Sequence, residues 1–374
     1  MKRILIVAGE TSGDLHGSAL IRRMKEMSPD IEFKGIGGTQ MIAEGLETIR
    51  HVREMNFMGL VEVVKHLPFI RKTLKELEYL LETWHPDLVI LIDYPGFNLK
   101  FAPSVKKYNT PLMYYISPQL WAWHKSRVKL IREYVDKIVV LFDFEVDFYR
   151  KYGVKADFFG HPLLDIVFPS QDRESFRVSV DATNKPLIGF LPGSRPQEIE
   201  RILPAMIGSL HELKERLGPF NAVIGCAPEL DEKILDKYIE GTDVRVLRGK
   251  TYDIMAHADV IVVSSGTATL ETGILGTPMV IVYRTSFLTY LIGKSLVSIR
   301  NIGLINIVAG SRVVPELWQN DVTPKKIADY VLNMLQDKEI YERTKILLHD
   351  AKENLGEPGA SLRTAKLAVE MLKN

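Results

Sequence analysis

Apolar runs recur along the chain, each followed by a glycine-bearing or polar loop and then by residues with helical spacing. Arg3–Ala8 is the first run. Gly9-Glu10-Thr11-Ser12-Gly13-Asp14 ends it, and a helical stretch follows to about Met27. Ile31–Ile36, Leu88–Ile92, Leu112–Ile116 and Ile138–Phe142 repeat the theme. Strands apolar on both faces, alternating with helices, predict a parallel sheet covered on both sides. The pattern lapses over Phe168–Lys185, which is polar and turn-rich, and a domain boundary is expected there. It restarts with Leu187–Leu191, Ala222–Gly225, Val244–Leu247, Val260–Val263 and Met279–Val282. The fold class expected is therefore α/β, with two Rossmann-like, doubly wound parallel-sheet domains over 1–168 and 185–350 facing a cleft. From about Thr323 the chain reads as helical. Gly356-Glu357-Pro358-Gly359 breaks it, and Ser361 opens a last helix to about Leu372.

Composition narrows the class. A chain of 374 residues suits about two domains. Lys+Arg (48) nearly balances Asp+Glu (47), which argues against a nucleic-acid partner. The single cysteine, Cys226, excludes an intrachain disulfide and a cysteine-rich metal site, and fits a reducing compartment. No apolar run approaches the roughly 20 residues of a membrane-spanning helix, and the first run lacks a cleavage site. A cytoplasmic protein, soluble or peripheral, is expected.

In doubly wound sheets, ligands bind beyond the carboxyl ends of strands, so the loops there carry the chemistry. Gly9–Asp14 opens a helix, whose N-terminus favours an anion or a hydroxyl-rich ligand. Glu10, Asp14 and His16 crowd that strand end, although Ser12 or Asp14 could simply cap the helix. Asp93 closes Leu88–Ile92 ahead of a Pro-Gly turn. Partial desolvation there would raise its pKa and suit it to general-base work, the bland alternative being an Asx-turn. Tyr94–Arg132 holds no Asp or Glu but seven Lys or Arg, interleaved with aromatics. This block suits a phosphorylated or membrane-surface ligand. Met55–Ile70 is unusually apolar and is either a buried helix or an exposed patch for acyl chains.

In the second half, Leu191-Pro192-Gly193-Ser194-Arg195 places an arginine where a phosphate would dock. Ser264-Ser265-Gly266-Thr267-Ala268-Thr269 forms a turn at a helix start, a pattern for a phosphate nest. Glu271, one turn in, could accept two ribose hydroxyls. Thr272–Pro315 lacks acids and carries Arg284, Lys294, Arg300 and Arg312. Known nucleotide fingerprints fail: Gln40 stands where Gly35-Ile36-Gly37 would need its third glycine. Val244 and Leu288 stand where Gly249-Lys250-Thr251 and Gly293-Lys294-Ser295 would need their first. The histidines are scattered, so no metal site is expected. Asp143-Phe144-Glu145 reads as N-terminal capping of a helix.

Gly9–Asp14, Asp93-Tyr94-Pro95-Gly96-Phe97-Asn98, Tyr115–Trp123, Gly160-His161-Pro162-Leu163, Leu191–Arg195 and Ser265–Glu271 occur in order. Together they resemble the successive signatures of the lipid-A-disaccharide synthases, a family of GT-B glycosyltransferases. Leu304–Gly310 is similar to a further one, with Ile305 in place of the usual proline. The resemblance spans essentially the whole chain.

It implies an inverting, metal-independent hexosyltransferase without a cofactor. UDP-2,3-diacylglucosamine would donate its sugar to 2,3-diacylglucosamine 1-phosphate, giving a β-1,6-linked disaccharide 1-phosphate and UDP. Asp93 would be the base, with Glu10, Asp14 and His16 as understudies. Arg195, the Ser265–Thr269 nest, Glu271 and Asn306 would hold UDP. Ser12, Gly13, Asn98, Gln119, Trp121 and Trp123 would line the acceptor side. The protein would act peripherally on the inner face of the bacterial inner membrane. The last helix, over 361–374, would return to the first domain, within one chain or across a homodimer. Two other readings share the two-lobed pattern: a UDP-sugar 2-epimerase and a nucleotide-sugar-binding protein without turnover.

Overall fold

The apolar runs form parallel strands in two separate sheets. The computed structural model describes residues 2–55, 66–121, 125–227, 230–285 and 301–373. The chain divides into a first unit, Met1–Asp165 with Leu355–Asn374, and a second, Ile166–Asn354.

The first unit begins β1 (Lys2–Ala8), α1 (Thr11–Met27), β2 (Ile31–Gly37), α2 (Thr39–Ala43), β3 (Leu46–His51) and α3 (Val52–Met55). It continues α4 (Leu67–Thr83), β4 (Leu88–Ile92), α5 (Pro95–Lys107), β5 (Leu112–Tyr115), α6 (Val128–Tyr134), β6 (Lys137–Val140), α7 (Asp143–Arg150) and β7 (Ala156–Phe158). Its seven strands run β3-β2-β1-β4-β5-β6-β7, with every pairing parallel. Side chains alternate across the pleat. Leu5, Val7, Val89 and Leu91 therefore pack with Leu77 and Phe101 on one face. Ile4, Ile6, Leu88 and Ile90 pack with Leu20 and Ile21 on the other.

The second unit follows with α8 (Arg173–Ser179), β8 (Leu187–Leu191), α9 (Pro196–Leu217), β9 (Asn221–Cys226), α10 (Lys233–Ile239), β10 (Arg245–Arg248) and α11 (Thr251–His257). Then come β11 (Val260–Ser264), α12 (Thr267–Ile274), β12 (Met279–Tyr283), α13 (Leu304–Val308), β13 (Glu316–Trp318), α14 (Pro324–Gln336) and α15 (Lys338–Glu353). Its strand order is β10-β9-β8-β11-β12-β13.

The last helix, α16 (Ala360–Met371), belongs to the first unit. Ala365, Ala368 and Leu372 enter the core beside Leu20 and Met24. The Asp165 carboxylate accepts from the Gly359 and Ser361 amides, and Arg363 donates to the Phe159 carbonyl. These bonds seat the helix start within this one chain.

Ten strands coincide with the expected apolar runs. The three others, β3, β7 and β13, all lie at sheet edges. An edge strand is covered on fewer sides, so it does not need an apolar run. Leu46-Glu47-Thr48-Ile49-Arg50-His51 is polar at four of its six positions, and β7 and β13 are only three residues long.

Strand order reverses once in each sheet. In the first unit the reversal lies between β1 and β4, and in the second between β8 and β11. Crevices for ligands open at such points, beyond the carboxyl ends of the strands. Glu10 and Asp93 follow the first pair, and Arg195 and Gly266 follow the second.

Candidate active site

In the first unit the reversal brings the Gly9–Asp14 loop against the turn after β4. Asp93 and Tyr94 both adopt left-handed backbone, with φ of 44° and 46°. Two adjacent non-glycine residues there cost about 1–3 kcal/mol each unless the surroundings enforce the conformation. Here they do. The Asp93 carbonyl accepts from Tyr114 Oη at 2.5 Å and from Asn98 Nδ2 at 2.8 Å. Its amide donates to the Tyr115 carbonyl at 3.1 Å. The Tyr94 hydroxyl donates to the Met55 carbonyl at 2.8 Å. The Tyr94 ring lies so close over Gly9 that a Cβ there would sit 2.1 Å from the ring edge. Gly9 is thus required for the approach.

The half-buried Asp93 carboxyl is pushed up to about 7 by burial and then by the Glu10 charge, opposed by the Tyr94 amide. A carboxyl in that range exchanges a proton readily near neutral pH.

Asp14 is differently engaged. Its Oδ1 accepts from the Gly38 and Met41 amides at 2.8 and 3.0 Å, and its Oδ2 from the Gln40 amide at 3.1 Å. The carboxylate therefore caps α2, a neighbouring helix. Its own helix, α1, begins at Glu10 without a side-chain cap. Half-exposed Ser12 and buried Gly13 lie in the first turn of α1. His16 is buried, and its Nδ1 has no hydrogen-bond partner among the described residues. Burial lowers it to about 4, so the ring is neutral at pH 7. His161, from the Gly160–Leu163 motif, meets it edge-on at 6.5 Å. Burial, then His16, brings His161 down to about 3.

Gln119 and Trp121 follow β5 on a loop that starts at Ile116, a β-branched residue at φ 62°. The loop is tied by Glu145, which is 1% exposed. Glu145 accepts from Ser117 Oγ and Trp121 Nε1 through one oxygen, and from the Leu141 and Phe142 amides through the other. Burial outweighs these donors and pushes its carboxyl up to about 7. The capping expected of Asp143–Glu145 is present, and its reach to the β5 loop is new. Trp123, residues 56–65 of the apolar segment, and Lys294 and Arg300 lie outside the described residues.

In the second unit Arg195 begins α9, and its Nη1 pairs with Glu198 Oε1 at 2.9 Å. Gly193, at φ 111°, leaves room for that carboxylate: a Cβ would meet it at 2.3 Å. Gly266 caps α12 at φ 154°, with open space where a side chain would stand. Thr267 and Ala268 are half-exposed in the first turn, where amides lack intrahelical acceptors. Buried Ser264 Oγ, at the end of β11, has no partner among the described residues. Ser265 Oγ donates to the Ile302 carbonyl. Glu271 accepts from Tyr252 Oη at 3.0 Å, and burial raises its carboxyl.

Two predicted residues of this unit face inward. Thr269 Oγ1 donates to the Gly266 carbonyl and accepts from the Leu304 amide. Asn306 is 0% exposed. Its amide donates to the Val314 carbonyl and Glu316 Oε1 and accepts from the Val313 and Val314 amides. Asn306 builds the α13–β13 turn.

Tyr114, Glu145, Glu198, Tyr252 and Glu316 were not singled out as site residues. Glu198 carries a signal in its three-residue spacing from Arg195 at a helix start, and Glu145 in the Asp143-Phe144-Glu145 capping pattern; the other three carry none. Among the described residues no group of three or more His, Cys, Asp or Glu could hold a metal ion. No helix among them is long and apolar enough to cross a membrane.

Two parallel α/β units, each with polar residues beyond its strand-order reversal, are the pattern of the GT-B fold. Solved structures agree on the fold. The chain superposes over its full length on UDP-GlcNAc 2-epimerase from Neisseria meningitidis bound to UDP-GlcNAc, covering all of that chain (TM-score 0.67, 15% identity). It also superposes over its full length on the calicheamicin glycosyltransferase CalG4, covering 99% of that chain (TM-score 0.61, 16% identity). Sequence then separates the members of the class. The lipid-A-disaccharide synthetase family model matches residues 4–371. Lipid-A-disaccharide synthase of Syntrophus aciditrophicus is 43% identical, covering 100% of this chain and 98% of its own. That of Geobacter metallireducens is 44% identical, covering 99% and 97%. The chain belongs to the lipid-A-disaccharide synthetase family, glycosyltransferases of lipid A biosynthesis. The 2-epimerase reading is not favoured, since its likeness is one of fold.

Proposed function

We propose that the chain transfers 2,3-diacylglucosamine from its UDP derivative to the 6-hydroxyl of 2,3-diacylglucosamine 1-phosphate, with Asp93 as the base. The observation that carries the base assignment is Asp93's position beyond β4, at the sheet's strand-order reversal, with its carboxyl brought into the neutral range by burial and Glu10. Asp93 takes the hydroxyl proton as the oxygen attacks the anomeric carbon. The bond to the diphosphate breaks on the opposite face, so the centre inverts and UDP leaves, much as one carboxylate activates the nucleophile in inverting glycosidases.

Negative charge grows on the leaving diphosphate. Arg195 and the first-turn amides of α12 stabilise it without a cation. Glu271 holds the ribose. The first unit takes the acceptor and the second the nucleotide. Family membership supports both lipid substrates, and amphiphilic substrates suit work at the inner-membrane surface, where the Tyr94–Arg132 basic block suits anionic head groups. Asp14, Thr269 and Asn306 serve as scaffold for these groups.

The test is product formation from the two acylated substrates in detergent with EDTA, for wild type and Asp93→Asn. The expected loss is about 10²–10⁴-fold for a general base, with UDP affinity intact. The wild-type kcat/KM should rise with pH through about 7 as Asp93 loses its proton. Near-normal turnover in the variant would move the base to Glu10 or His16.

A further inference from the structure

Tyr252 lies in α11, after a loop that resembles a nucleotide fingerprint only in part. Its hydroxyl donates to Glu271 Oε1 at 3.0 Å. The two residues come from adjacent elements, nineteen positions apart in sequence. Each is half-exposed as a whole residue, and the phenol is raised by burial and by the Glu271 charge. A phenol held in that setting stays protonated at any working pH, so it is a permanent donor.

The helix that carries it is fixed. The Asp253 carboxylate accepts from the Ser170 amide at 2.6 Å, from the Ser170 hydroxyl at 2.7 Å and from the Gln171 amide at 2.8 Å. His257 Nε2 lies 2.8 Å from the Gln171 carbonyl. Tyr252 therefore presents its hydroxyl from a rigid mount.

A glutamate that receives both hydroxyls of a ribose must hold its carboxylate plane in one orientation. Glu271 has several rotamers, and ordering a long side chain at the moment of binding costs entropy. A donor already bound to one oxygen fixes the plane beforehand. The bond also occupies one acceptor position on Oε1 and leaves Oε2 open.

We infer that Tyr252 is a specificity-determining positioning residue: it pre-orients Glu271 for the vicinal 2′- and 3′-hydroxyls of the donor nucleotide's ribose. The inference rests on the proposed ribose role of Glu271 and adds to it the group that makes that role selective.

The experiment measures dissociation constants of UDP and 2′,3′-dideoxy-UDP by calorimetry, on the full chain. It compares wild type, Tyr252→Phe, Glu271→Gln and the double variant, with a thermal melt of each as a control for folding. Tyr252→Phe keeps the ring and its packing and removes only the donor. Wild type should prefer UDP. Glu271→Gln should lose most of that preference. Tyr252→Phe should weaken UDP about five- to tenfold, the scale of one orienting hydrogen bond, and leave dideoxy-UDP unchanged. The double variant should be no worse than Glu271→Gln alone.

If Tyr252→Phe keeps the preference, or weakens both nucleotides equally, Tyr252 is packing only and the inference is wrong while the ribose role of Glu271 stands. If Glu271→Gln itself keeps the preference, the ribose role fails and the inference falls with it.

Discussion

Asp14 offers the sharpest separation of scaffold from chemistry. Its carboxylate is 4% exposed and takes three backbone N–H bonds at 2.8–3.1 Å from the start of α2. Asp14→Ala leaves those donors without an acceptor. The Gly38 and Met41 amide bonds are buried, whereas the Gln40 bond is only part-buried and its amide can recruit water. Two buried unsatisfied donors cost about 1–3 kcal/mol each, so a loss of about 4 kcal/mol is expected.

Asp14→Asn is the informative control. Its carbonyl can keep both Oδ1 bonds, uncharged and weaker, while its NH₂ must face the Gln40 amide, donor against donor. A loss of about 2 kcal/mol follows from exchanging charged for neutral acceptors. With a urea slope of about 1–3 kcal/mol per molar, the alanine variant's midpoint should fall by roughly 1–4 M and the asparagine variant's by about half as much. The assay is urea unfolding followed by far-ultraviolet circular dichroism. An Asp14→Ala protein that unfolds with wild-type midpoint yet has lost turnover would refute this reasoning and make Asp14 a chemical group.

Three further outcomes are expected. Gly9→Ala drives a Cβ into the Tyr94 ring, which cannot rotate away without losing its bond to Met55. Overpacking should cost about 1–3 kcal/mol, and a displaced turn at Asp93 should lower kcat more than it raises KM in steady-state kinetics. His16 and His161 are held below their unfolded value, at about 4 and about 3. The folded state then binds fewer protons than the unfolded one between those values and about 6.5. Their stabilisation is complete above pH 6.5 and is lost as pH falls through that window; a pH series of urea midpoints should decline from there, less steeply in His161→Gln. Asn306→Ala strips four internal hydrogen bonds from the turn before β13 and should lower the second unit's stability by about 2–4 kcal/mol, read from thermal melts.

Much of this protein is legible without coordinates. Strands buried on both faces must be apolar throughout, so the central runs Ile4–Ala8, Leu88–Ile92, Leu187–Leu191 and Val260–Val263 announce parallel sheets by themselves. The loops after them, with Glu10, Asp93, Arg195 and Gly266, can be named as candidates because strand ends are where such folds bind ligands. Burial does not dictate an apolar run at an edge, and β3, β7 and β13 therefore leave little trace in the sequence. Nor does a sequence show which polar groups find one another. Asp14 and Glu10 look alike as carboxylates in one loop, yet one is consumed by the amides of α2 and the charge of the other helps raise the Asp93 carboxyl. Asn306 looks like a ligand contact and is a turn builder. Tyr252 carries no local signature, because its partner is nineteen residues away, and the local capping pattern of Glu145 does not show its bonds to Ser117 and Trp121, twenty-eight and twenty-four residues away. The sequence determines which segments must be buried, since transfer from water acts on each residue's own surface. Hydrogen bonds need two groups within about 3 Å, and only tertiary structure decides which pairs meet.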